Sequence, residues 1–128
     1  MSNKIKMSVV LSACFAASIF TTSCYRDVTV PELAPEVNTE ISFSADIIPI
    51  YNSECTSCHS SGGTAPDLTV SSAYSSSLNY VNTGSPENSE LYQRLAGLGA
   101  KPVMPPGGAN QANAATVLAW IKQGAKNN

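Results

Sequence analysis

The chain has 128 residues, only 12% of them charged, a formal net charge of −2, one histidine and four cysteines. A chain of this size holds one small domain, and its slight acidity excludes the basic surface that a nucleic-acid partner requires. Each cysteine has to be placed separately, because its position decides its chemistry.

Met1 to Ser23 reads as an export signal, with Lys4 and Lys6 ahead of an uncharged, mostly apolar run from Met7 to Phe20. Those 14 residues fall short of the ~18 that a membrane-spanning helix needs, which favours removal over anchoring by the segment itself. Cys24 follows Thr21-Thr22-Ser23 directly after the run and precedes a polar, proline-containing stretch. This placement resembles a bacterial lipoprotein signal, in which such a cysteine becomes the lipid-modified first residue. Thr21 departs from the apolar residue usual at that step. Leu11-Ser12-Ala13-Cys14 fits letter by letter, yet cleavage there leaves too short an apolar core. Cys24 is therefore the lipidation candidate, with cleavage nearby without acylation as the alternative. The expected location is the periplasmic or cell-envelope side of a bacterial membrane.

Residues 24–40 carry Pro31, Pro35 and the acids Glu32, Glu36 and Glu40 with little periodicity, and read as a flexible tether. About sixteen such residues reach ~55 Å fully stretched and average nearer 20 Å. The alternative is that Val28 and Val30 add an edge strand.

The domain, residues 41–128, is expected to be all-α with about three helices. Asp46 can cap the first, in which Pro49 is tolerated in the opening turn and Ile47, Ile48, Ile50 and Tyr51 lead toward Cys55. Ser85-Pro86-Glu87 starts a second, carrying Leu91, Tyr92 and Leu95 and stopping near Gly97. Asn110 precedes a third, from about Gln111, whose Ala114, Val117, Leu118 and Ile121 form a helical stripe ending at Gly124. Between His59 and Ser85 the chain is mostly Ser, Gly and Thr, which close turns and fill no core.

The sole histidine closes the run Cys55-Thr56-Ser57-Cys58-His59. That run is the attachment signature of a c-type haem. Residues at i, i+3 and i+4 share one helical face, so both sulfurs can reach the porphyrin edge while the imidazole meets the iron. A zinc site needs further Cys or His ligands, which the chain lacks, and a thioredoxin-like site needs a strand-rich surrounding that is also absent. With Cys14 in the signal and Cys24 lipidated, no disulfide remains to form. Export agrees with what a resemblance to c-type haem proteins implies, namely attachment outside the cytoplasm. One haem c, held covalently, also makes good the shortage of core in so small a domain, so the haem-free protein is expected to be largely unfolded.

The second axial ligand follows by elimination. Met1 and Met7 belong to the signal, which leaves Met104, in the stiff loop Lys101-Pro102-Val103-Met104-Pro105-Pro106-Gly107-Gly108. A packing methionine or an open site is the alternative. His59 and Met104 are thus the expected metal ligands, and a His/Met pair raises the reduction potential and leaves no position for oxygen or peroxide.

In order, Cys55-X-X-Cys58-His59, Ala65-Pro66-Asp67-Leu68, Met104-Pro105-Pro106 and Trp120-Ile121-Lys122-Gln123-Gly124-Ala125 resemble class I cytochromes c, in particular the short bacterial monohaem domains. The resemblance implies a small class I cytochrome c fold around one haem, a Pro66 carbonyl accepting from the His59 ring N–H, and Leu68 and Trp120 lining the haem pocket. Turn punctuation for Pro66 and plain core for Trp120 are the other readings. Two departures stand out: the first helix has no glycine, with Tyr51 and Trp120 the candidates for the crossing of first and last helices, and the step from His59 to Pro66 is short.

Without the signal, the chain keeps five basic residues, Arg26, Arg94, Lys101, Lys122 and Lys126, against nine acids. Lys101, Lys122 and Lys126 either ring an exposed haem edge to steer an acidic partner or are ordinary solvated lysines. The expected function is electron transfer between respiratory or periplasmic redox proteins, with no enzymatic activity and no small-molecule substrate. The alternatives are a haem-bearing accessory subunit of a larger oxidoreductase, or a peroxidase or gas sensor if Met104 dissociates easily.

Overall fold

The computed structural model describes residues 37–128. The export signal, Cys14, Cys24 and the tether as far as residue 36 lie outside the described residues. The elements in order are a π-helical turn Phe43–Ile47 continuing into α1 (Ile48–Glu54), α2 (Ala73–Leu78), a 3-10 turn Pro86–Asn88, α3 (Glu90–Ala96) and α4 (Gln111–Lys122). With four α-helices and no strand among the described residues, the domain is all-α.

The first helical segment starts earlier than its sequence suggests. Ser42, in extended conformation, is the cap: its Oγ accepts from the Ala45 N–H at 3.2 Å. Asp46, expected in that role, lies inside the first turn, where its carboxylate accepts from the Ser42 N–H at 2.8 Å. The remaining free donors are taken by the chain's far end. Asn128 Oδ1 accepts from Phe43 N–H and the Asn128 backbone oxygen from Ser44 N–H, each at 2.9 Å. Side chain, carboxylate and tail together satisfy the groups a helix start leaves unpaired.

α2 forms where only turns were expected. Its serines have modest helix propensity, and tertiary contacts settle the matter. Ala73 and Ser77 are buried at spacing i, i+4, while Tyr74 meets the Phe43 ring edge-on at 5.2 Å and donates to the Ala125 carbonyl at 3.1 Å. The segment is entered through Asp67, which accepts from Thr69 N–H at 2.9 Å and Thr69 Oγ1 at 2.7 Å; these bonds hold its carboxyl below the usual carboxylate range.

The second expected helix is divided. After Pro86–Asn88, Ser89 turns extended (ψ 126°), and α3 begins at Glu90. Ser89 is buried because its Oγ accepts from the Asn82 N–H at 2.9 Å, an anchor that a continuous helix would not allow. Gly97 ends α3 at φ +70°, with the space beside it closed by Ala109. The third expected helix is α4, with Asn110 accepting from Asn113 N–H at 3.1 Å and with Ala114, Val117 and Ile121 buried.

The core gathers around Phe43, whose ring centroid lies 5.3 Å from Trp120 and 6.2 Å from Tyr51. Phe43 thus stands between the two candidates for the helix crossing, Tyr51 on α1 and Trp120 on α4. Residues 37–40, the end of the expected tether, are fastened to this core: Val37 packs on it, and Gln123 accepts from Ile41 N–H and donates to the Thr39 carbonyl, both at 2.8 Å.

Candidate cofactor site

α1 ends where the cysteine motif begins. Cys55 is its C-cap, donating to the Tyr51 carbonyl at 2.9 Å, and the motif forms a separate turn in which Cys58 N–H and His59 N–H reach the Cys55 carbonyl at 3.1 and 2.8 Å. The shared helical face expected for the motif is thus a single α-type turn beyond α1. A tight loop follows. Gly63 passes so close to the motif that a Cβ there would meet the Cys58 carbonyl at 2.7 Å.

That loop returns to the histidine. His59 Nδ1 lies 3.1 Å from the Thr64 carbonyl oxygen and 3.2 Å from that of Pro66. Carbonyls only accept, so Nδ1 carries the proton and Nε2 keeps the lone pair that a metal binds. The short step from His59 to Pro66 is sufficient because Leu68 N–H closes the loop on the His59 carbonyl at 2.9 Å.

Cys55, Cys58, His59, Pro66, Leu68 and Met104 all border one cavity of about 490 Å³ with mainly apolar walls. Met104 is delivered from the proline-rich loop, which its N–H ties to the Arg94 carbonyl of α3 at 3.0 Å. Trp120, expected in the same wall, is not among the lining residues. It is fully buried against Phe43, and its indole N–H donates to the Lys126 carbonyl at 2.8 Å, which turns it into the core behind the cavity.

Several lining residues carry no signal in the sequence that points to the site. Leu91, Arg94 and Leu95 present an i, i+3, i+4 face of α3 to the cavity, a pattern visible in the sequence but readable equally as plain core. Tyr51 is fully buried and its hydroxyl lies 2.8 Å from Ser77 Oγ, which itself donates to the Ala73 carbonyl at 2.7 Å. Tyr51 is therefore the donor in that pair, and burial pushes its pKa upward. Glu54 Oε1 accepts from Asn110 Nδ2 at 2.9 Å and Asn113 Nδ2 at 2.7 Å, while Oε2 is buried without a partner.

Electrostatics separate the possible chemistries of the cysteines. Burial, helped by the neighbouring Glu54 charge, pushes the Cys55 thiol up to about 11. A thiol raised in this way is largely protonated at neutral pH, so Cys55 is a weak nucleophile as it stands. No set of three or more His, Cys, Asp or Glu among the described residues is placed to hold a metal ion. The three lysines of the sequence reading are each paired: Lys101 with Glu90, Lys122 with Glu87 at 3.0 Å and Lys126 with Glu40 at 3.7 Å. Their positive field is largely cancelled at its source.

No protein family, curated protein or solved structure matches the chain.

Proposed function

We propose that the chain is an exported, lipid-anchored monohaem cytochrome c that passes single electrons between respiratory or periplasmic redox proteins and is not an enzyme. The carrying observation is one cavity walled by two thiols at Cys-X-X-Cys spacing, the only imidazole and the only methionine of the described residues. The donor set suits one group. Two thiols beside an apolar cavity are what covalent attachment to a porphyrin consumes, and a nitrogen and a thioether sulfur are the ligands of an electron-transfer iron. On this reading the helices adopt a small class I cytochrome c arrangement.

Bound there, the haem supplies a one-electron couple that needs no proton and no bond rearrangement in the protein. The residues around it serve that couple. The Thr64 and Pro66 carbonyls fix the imidazole plane by accepting from Nδ1–H and turn Nε2 toward the group to be ligated. Leu68, Leu91 and Leu95 exclude water, which lowers the reorganisation that accompanies a change of charge. Met104 would supply the second ligand to the iron, and the Arg94 carbonyl holds its loop by accepting from the Met104 N–H. Cys24 would place the domain at a membrane surface, within reach of membrane-bound partners. The pairing of Lys101, Lys122 and Lys126 with glutamates favours docking through apolar and hydrogen-bonded contact over long-range steering.

The test is expression in a host that matures c-type cytochromes. The expected product is red, heavier than the polypeptide by one haem, and in its oxidised form shows the far-red sulfur-to-iron band. A colourless product of bare polypeptide mass would overturn the proposal.

A further inference from the structure

We propose that Glu54 lowers the reduction potential of the group in the cavity by placing one uncompensated negative charge in its wall; this rests on the haem reading above. The acidic and basic side chains that border the cavity, the histidine aside, are Glu54, Glu90 and Arg94. Glu90 is neutralised where it stands, with Arg94 Nε at 2.9 Å from one oxygen and Lys101 on the other. Glu54 has no such cation. Its Oε1 takes hydrogen bonds from Asn110 and Asn113, both neutral amides, and its Oε2 is buried with no hydrogen-bond partner. A carboxylate placed like this is screened little by salt, because neither counter-charge nor bulk water reaches its inner oxygen. Removing one electron from an iron porphyrin adds one positive charge to the cavity, so Glu54 favours the oxidised form.

Glu54 also has a structural side, since it ties the residue before Cys55 to the start of α4. The two roles separate cleanly. Glu54→Gln keeps an acceptor oxygen for both asparagines and removes the charge. The holoprotein is titrated between dithionite and ferricyanide, one electron per haem, with the far-red band recorded throughout. The ferrous-to-ferric ratio at fixed ambient potential is expected to rise about tenfold, which is 59 mV for one electron. That is the order of effect of one unit charge across a cavity of this size at an effective dielectric of about 20. A midpoint unchanged within twofold, with the band intact, overturns the inference and leaves the haem reading standing. A parent protein without haem overturns both. Should Glu54→Gln fail to accumulate as a haem protein, Asn113→Lys sets a cation beside the native carboxylate; the same upward shift is expected, and an unchanged or lowered midpoint overturns the inference.

Discussion

Replacing Cys55 and Cys58 together by alanine removes both tethers, so that any haem held by His59 and Met104 alone can be extracted and the fold left to stand on polypeptide alone. The cavity measures about 490 Å³. At ~24 cal/mol per Å³, keeping such a space rigid and dry would cost about 12 kcal/mol. Collapse of the walls and entry of water reduce that figure, so it is a ceiling. The whole stability of a small domain is about 5–15 kcal/mol, however, and even half the ceiling takes most of it. The side of the domain away from the cavity is well packed, with Phe43, Ile47, Val117, Trp120 and Ile121 almost fully buried. The side toward it is held by the loops that carry His59 and Met104. The haem-free double variant is expected to lose most of its far-UV helical signal and its cooperative melting. Retention of the full native helix signal with a sharp thermal transition would refute the reasoning, and would show that the Phe43 and Trp120 cluster sustains the fold alone.

Three further outcomes follow from the wall of the cavity. Ser77→Ala strands the Tyr51 hydroxyl as a buried donor, and a loss of about 1–3 kcal/mol is expected by thermal denaturation of the holoprotein; adding Tyr51→Phe should recover part of it, and a purely additive pair would exclude the proposed coupling. Tyr51 titrates higher in the folded protein than the value near 10 of an exposed tyrosine, chiefly through burial. The folded state thus holds its proton longer: this stability is complete below pH 10 and is lost as pH rises beyond it. The slope is up to about 1.4 kcal/mol per pH unit, so urea midpoints should fall less steeply above pH 10 in Tyr51→Phe than in the parent. Met104→Ala opens the axial position, and the reduced variant is expected to bind carbon monoxide without denaturation and, once oxidised, to lack the far-red band. Persistence of that band would assign the ligand elsewhere.

Local signals in the sequence were readable where a helix is specified by its own residues. Asn110 followed by the stripe Ala114, Val117 and Ile121 marks α4 because cap and apolar face lie within one segment. α2 has neither, and exists because Tyr74 and Ser77 find Phe43 and Tyr51 in another part of the chain. Asp46 and Ser42 are both residue types that cap helices, and the cap falls at Ser42 where Asn128, from the far end of the chain, reaches back to Phe43. Distance along the chain, more than residue type, separates what could be read from what could not.

The site divides along the same line. Cys55, Cys58 and His59 announce themselves through spacing, and Met104 through being the one methionine left outside the signal. Only the resemblance points Trp120 to the pocket, whereas it packs on Phe43 and is not among the lining residues. Glu54 was invisible because its meaning lies in partners 56 and 59 residues away. That separation has a physical consequence for the chemistry proposed. A short motif can specify which group is bound, because attachment and ligation are local. The energy at which that group exchanges an electron depends on charges and dipoles gathered from the whole fold, so two chains with the same motif can differ widely in potential. In this chain the contrast between Glu90, paired with cations, and Glu54, bonded only to neutral amides, belongs to that second kind of information, and it arises only once α1 and α3 border one cavity and the start of α4 reaches Glu54.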